Sequence, residues 1–202
     1  GAADAAYLFK PQQTWLTTRG GGGFGPRGTG GENLAPGATV FFHLPANYDG
    51  STPVTLTFTD ASGKLVRSFT LHLKPKGKPE PTSTNPTVAR KQREDRLTAV
   101  EPGMNHFQWD LTYPDATEVK GIYNSGFSAA PPAGPQVVPG NYYVTLTYGH
   151  PTQKQPLVVK LDPSLPTTQA ELQQRLDLLM QIHEALNRLD VPTAERVLRN
   201  AV

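Results

Sequence analysis

No cysteine occurs in the 202 residues, which excludes a disulfide scaffold, thiolate nucleophiles and cysteine-ligated metal. Long apolar runs are missing too. Nowhere do eighteen apolar residues follow one another, so no segment reads as a membrane-spanning helix. Charge of one sign is scarce: 19 Lys and Arg against 17 Asp and Glu leave +2, too little by itself to imply a nucleic-acid or acidic-substrate partner. The opening Gly-Ala-Ala-Asp-Ala-Ala has neither an initiator Met nor a basic, apolar leader pattern, so the chain reads as a mature or excised piece. Signatures of catalysis are equally sparse. There is no G-x-S-x-G elbow and no P-loop, and His43, His72, His106 and His150 are scattered over strands and turns. A glycosidase needs two carboxylates in one cleft, yet Asp110 is the sole acid set in an aromatic strand, where a hydrogen bond at the strand end is its expected role. The reading is a non-enzymatic chain without cofactor or metal.

Proline and glycine, by contrast, are abundant. Twenty prolines and 19 glycines argue against an all-helical protein and for short strands joined by long turns. At this length the chain can bury close to 70% of its extended surface, enough for one good core. The centre of that core is expected at Gly103 to Tyr113. Phe107 and Trp109 share one face of a strand at a period of two, and a buried Trp is worth on the order of 4 to 6 kcal/mol. Phe58, Tyr142 and Leu146 complete the expected core.

Three segments follow from the punctuation. Residues 1–35 read as an extended apolar arm followed by a Gly-rich tether. The arm offers Tyr7, Leu8, Phe9, Trp15 and Leu16, with Phe24 in the tether, as contacts for a partner. Gly23 to Gly28 matches the dinucleotide pattern G-x-G-x-x-G, but a glycine run precedes it and Pro26 removes an amide, so a linker is the better reading. Residues 36–163 read as strands. Val54, Leu56 and Phe58 alternate with threonines, Asp60-Ala61-Ser62-Gly63 is a turn, and Leu65 to Leu73 returns with Leu65, Phe69, Leu71 and Leu73 facing inward. Two long insertions interrupt them, at 74–102 and 114–138. The first is read as a solvated loop inside a basic stretch, Lys64 to Arg96, with nine Lys or Arg against three acids. Lys74, Lys76, Lys78, Arg90 and Lys91 are its candidate contacts for an anionic surface, a phosphate or an acidic protein face. No aromatic residue stands beside them from Lys74 to Arg96 to stack on a base, which argues against nucleic acid. The second insertion carries Ile122, Tyr123 and Phe127 as further candidate partner contacts.

Residues 164–202 read as a helical hairpin. Thr168-Gln-Ala-Glu171 is a capping box, and Leu172, Leu176, Leu179, Ile182, Leu186 and Leu189 form one stripe. A shorter helix is expected from Thr193 to Val202. His183 lacks the second His that a zinc helix requires, so a structural role is expected. The spacing of strands predicts a mainly β protein: an antiparallel immunoglobulin- or fibronectin-III-like sandwich with a C-terminal helical hairpin and an extended N-terminal arm.

Several motifs carry a resemblance. Phe9-Lys10-Pro11, Gly31-Glu32-Asn33, Pro36-Gly37-Ala38, Asp60 with Gly63 and Arg67, Gly103-Met104-Asn105, Trp109-Asp110-Leu111 with Tyr113-Pro114, Pro139-Gly140-Asn141-Tyr142 and Asp162-Pro163 are among them. They resemble the C-terminal region of bacterial sortilin-like, BNR-repeat β-propeller proteins often labelled glycosyl-hydrolase-like. The resemblance implies an immunoglobulin-like module followed by helices, exported to the periplasm or beyond, and transfers no catalytic residue. His106, Thr112 and Ser164 stand where the pattern has arginine. The function expected is a structural, protein-interaction module docked on other subunits of a larger extracytoplasmic assembly. Two alternatives stay open. One is a cofactor-free accessory subunit of a membrane-associated envelope complex, with electron-transfer or photosynthetic complexes among the hosts. The other is a carbohydrate-binding or glycosidase-associated domain, with Trp15, Tyr123, Tyr142 and Tyr143 as stacking faces.

Overall fold

Alternation of apolar and polar residues lays down the central strands. In β4 (Val54–Asp60) Val54, Leu56 and Phe58 are buried and the threonines between them half-buried. The computed structural model describes residues 5–16, 37–77, 82–84, 86–116, 133–149 and 152–188. Its other strands are β1 (Tyr7–Leu8), β2 (Thr14–Leu16), β3 (Ala38–Leu44), β5 (Leu65–Leu73), β6 (Ala99–Val100), β7 (Gly103–Trp109), β8 (Gly140–Tyr148) and β9 (Gln153–Leu161). Two helices, α1 (Pro86–Leu97) and α2 (Gln169–Asn187), complete the described elements. The protein is therefore mainly β.

Six strands in the order β2-β9-β8-β4-β5-β6 make a larger sheet that curls as a half-barrel, and β1-β3-β7 make a smaller one. Side chains from both meet in one core. Phe58 of the larger sheet stacks on Trp109 of the smaller, centroids 4.3 Å apart, while Phe69 packs against Phe107 at 4.6 Å and Tyr142 stands edge-on to Trp109 at 6.0 Å. Phe58, Phe107, Trp109, Tyr142 and Leu146 are all buried. The Trp109 indole donates to the carbonyl of Thr112 at 3.1 Å, so its one polar group is satisfied inside the core. Gly37 leads into β3 with φ +122°, and a Cβ there would strike the Trp109 carbonyl, so no other residue fits the crossing.

Several expectations need correction. The sheets are not wholly antiparallel: β2 runs parallel to β9 and β5 parallel to β6. Both pairs join segments distant in sequence, where no tight turn forces antiparallel pairing. Leu65 is exposed and Val66 buried instead, because a bulge between Phe58 and Thr59 shifts the register and inverts the parity at the start of β5. The first insertion is not all loop, since it holds α1 and β6. Pro86 opens α1 at the position where a missing N–H costs nothing, and the helix has too few apolar residues to show a period. The tether with Phe24, the expected contacts Lys78, Ile122, Tyr123 and Phe127, and the second half of the helical hairpin lie outside the described residues, as does the Arg90 side chain.

Candidate interaction site

The N-terminal arm packs on its own chain. Leu8 and Leu16 are buried in the core, so neither is available to a partner, which corrects two of the expected contacts. A period-two strand explains why: burying Leu8 in β1 turns its neighbours Tyr7 and Phe9 outward. The β1 backbone is held by β3 on one side and by glutamine amides on the other. Leu8 N donates to Gln153 Oε1 at 2.8 Å, Gln153 Nε2 donates to the Ala6 carbonyl at 2.6 Å, and Gln155 Nε2 reaches the Leu8 carbonyl at 3.3 Å.

On the outer face of the small sheet this arrangement assembles an apolar patch. Tyr7 pairs with His43, Phe9 N bonds the Phe41 carbonyl at 3.0 Å, Phe41 pairs with His106 and His43 with Met104. Tyr7 and Phe9 meet edge to face at 4.8 Å, and the Phe41 and His106 rings lie 6.3 Å apart. Tyr7 is 51% exposed, Phe9 40%, Phe41 49% and Met104 59%. Thr39 Oγ1 donates to Gln108 Oε1 at 2.6 Å and closes one end of the face with polar groups. The strand positions of this face carry no Lys, Arg, Asp or Glu.

The remaining expected contacts scatter. Trp15 is exposed on the edge of the larger sheet, with the Lys160 ammonium 5.6 Å from its ring centre. Lys154 stands over Tyr143 at 4.1 Å. Tyr142 is buried, its hydroxyl donating to the Val138 carbonyl at 2.6 Å, and burial first of all raises its pKa far above the usual tyrosine value. Of the four sugar-stacking candidates, Tyr142 lies in the core, Trp15 and Tyr143 each have a lysine ammonium near the ring, and Tyr123 lies outside the described residues. Lys74 pairs with Glu101 at 2.7 Å, and Lys76 and Lys91 are exposed.

The acids are engaged locally. Asp60 Oδ1 accepts from Ser62 N at 2.9 Å, Ser62 Oγ at 2.6 Å and Lys64 N at 2.9 Å, and the Ser62 hydroxyl bond leads the causes that lower its pKa. Asp110 accepts from Thr112 Oγ1 at 2.7 Å and lies 3.6 Å from Arg67, whose guanidinium also donates to Thr112 Oγ1 at 2.8 Å. In the cleft of about 640 Å³ beside α2, Asp177 accepts from Gln173 at 2.8 Å and Glu184 meets Arg188 at 3.5 Å. His183 bonds the Pro114 carbonyl at 2.9 Å. Among the described residues no three His, Asp or Glu side chains gather closely enough to hold a metal ion.

Sequence reasoning found Tyr7 and Phe9 but missed Phe41 and Met104. The missing signal was the period-two parity of β3 and β7: Phe41 alternates with the buried Val40 and Phe42, and Met104 has the parity opposite to the buried Phe107 and Trp109, so both were readable as the outer face of strands. No family model matches the chain, and neither does any curated protein or solved structure.

Proposed function

We propose that the chain is a non-catalytic protein-interaction module that docks on another subunit of an extracytoplasmic assembly through the outer face of the small sheet. The observation that carries this reading is the clustering of Tyr7, Phe9, Phe41 and Met104, all substantially exposed, on one face without a charged side chain. Aromatic residues and Met are enriched at the centre of protein interfaces, and Lys, Glu and Asp are depleted there. Monomeric surfaces rarely gather such residues contiguously. An immunoglobulin-like sandwich is the fold reading that goes with it, supported by the stacking of Phe58 on Trp109 between the two sheets. Export, and a membrane-associated envelope complex as host, follow from the sequence resemblance.

The test is a paired substitution, Phe41→Ser with Tyr7→Ser. Both side chains are about half exposed, so the variant is expected to lose on the order of 1 to 3 kcal/mol and still to unfold cooperatively. Its co-sedimentation with the host's envelope fraction is expected to fall about tenfold or more, consistent with the loss of a central aromatic anchor. Sedimentation equal to that of the parent would remove this face as the docking surface.

A further inference from the structure

The two open sides of the core, where the edges of the two sheets approach each other, are finished differently. On one side, Gln153 and Gln155 bond the outward backbone groups of β1. On the other, β7 is the edge of the small sheet, and no strand among the described residues pairs with its free side.

The register fixes which backbone groups of β7 turn away from β3. Phe9 N donates to the Phe41 carbonyl, so the backbone groups of Phe41 point toward β1. Successive residues of an antiparallel strand alternate in this respect. Val40 and Phe42 therefore point toward β7, where they oppose Phe107 and Asn105. Met104 and His106 direct their N–H and C=O groups away from β3, to the open edge. Natural edges are usually protected by Lys, Pro or a bulge. From Gly103 to Trp109 there is no Lys, Pro or acid, and the seven pairings with β3 run without a shift.

Beside this edge lies a trough of about 300 Å³, walled opposite β7 by Lys74, Arg96, Leu97, Ala99 and Glu101. The net charge of its lining is positive. Glu101 is matched by Lys74 at 2.7 Å, whereas Arg96 makes no ion pair among the described residues. On α1 the exposed Lys91 and Arg93 are offset by the exposed Glu94 and Asp95, so the net positive charge of the trough is that of Arg96.

We infer that β7 is a strand-addition site that takes an extended, acidic segment of a partner protein. The segment adds to the small sheet by backbone bonds to Met104 and His106 and turns a carboxylate toward Arg96. Backbone pairing supplies the affinity and the basic wall supplies the preference for acid. The edge shares Met104 and His106 with the aromatic face but uses their backbone groups instead of their side chains, so its occupancy does not depend on that face being covered.

The test uses the full chain and two blocked peptides, Thr-Val-Glu-Val-Glu-Val-Thr and its Lys-for-Glu counterpart, followed by amide NMR shifts and hydrogen exchange. The acidic peptide is expected to shift the Met104 and His106 amides and slow their exchange about tenfold. The basic peptide is expected to bind about fivefold or more weakly, a gap that closes as salt rises from about 0.05 to about 0.5 M. Arg96→Gln should erase the preference and keep the binding. Met104→Pro, which deletes an outward N–H and no bond to β3, should weaken binding about tenfold while unfolding remains cooperative. If that variant does not fold, the amide response of the parent decides. Unperturbed Met104 and His106 amides at millimolar acidic peptide, or equal affinity for both peptides, would overturn the inference. So would self-association of the chain that protects these same amides, since the edge would then belong to a second copy.

Discussion

Leu111 carries the sharpest conflict between backbone and side chain among the described residues. Its φ is +59°, the one positive value at a non-glycine among the described residues, yet its side chain is buried. The left-handed conformation costs roughly 1 to 2 kcal/mol for such a residue. It persists because the turn after Trp109 is held on both sides: Val137 N donates to the Leu111 carbonyl at 2.8 Å, and the Trp109 indole holds the Thr112 carbonyl. Two substitutions separate the terms. Leu111→Ala deletes the packing and keeps the strain, and should cost about 2 to 5 kcal/mol. Leu111→Gly deletes the packing and relieves the strain, so it should unfold about 1 kcal/mol later than the Ala variant, the reverse of the ordinary order for a strand. Urea unfolding of the pair checks this, and an Ala variant more stable than the Gly variant would refute it. None of this was legible in Trp-Asp-Leu-Thr-Tyr, because Asn or Asp is the residue expected where φ turns positive. Trp109 itself was legible, since burial of a large aromatic on a period-two strand follows from pattern alone.

Among the elements, α2 shows where pattern succeeds and where it overreaches. Its start is local chemistry and could be read directly. Thr168 accepts from Glu171 N at 3.2 Å, and Glu171 accepts from Thr168 N at 2.8 Å. The apolar stripe, however, does not translate into burial: Leu176 is the one buried residue of the helix and Ile182 is exposed. Periodicity states which residues share a face and is silent on whether anything covers it. Beyond Leu176, the helix is tied down by Gln169 to the Pro139 carbonyl at 2.8 Å and by His183 to that of Pro114. Its attachment is therefore weaker than that of the sheets. Leu176→Ala should loosen α2 alone, raising exchange of its amides about tenfold or more while those of β4 and β8 stay as protected as before. Equal loss of protection in all three would mean that helix and sheets unfold as one unit. The pairing of β5 with β6 and the helix α1 escaped the sequence reading for the opposite reason. A two-residue strand and a charged helix have no period to detect.

At the scale of the whole molecule, the chain repeats one device that contributes to acid stability. Asp49, Asp60 and Asp162 each stand two residues before a serine, and each accepts bonds from that serine's hydroxyl and amide. Those bonds hold all three carboxyls below the ordinary value near 3.8, and the amide of Thr168 leads the causes that hold Glu171 below 4.5. Because the folded values are depressed, the stabilisation is present above the unfolded values and is lost as pH falls through the folded ones. The sign reverses at the alkaline end. Burial first of all raises the pKa of Tyr48, Tyr113 and Tyr142 above 10.0, so their contribution is complete below that value and is lost as pH rises through the folded ones. A plateau between about pH 5 and about pH 10 is expected in the urea midpoint, with a fall on both sides. Each aspartate lies at an exposed turn, so its effect is small and screened, and only the sum should be visible. The triple variant Asp49→Asn, Asp60→Asn, Asp162→Asn keeps the acceptor oxygens and removes the titration. Its acid limb should flatten, and because the Asp49 and Asp60 charges also help to raise Tyr48, Tyr113 and Tyr142, its alkaline limb should begin slightly earlier; an acid limb as steep as the parent's would show that carboxylates other than the turn aspartates control acid unfolding.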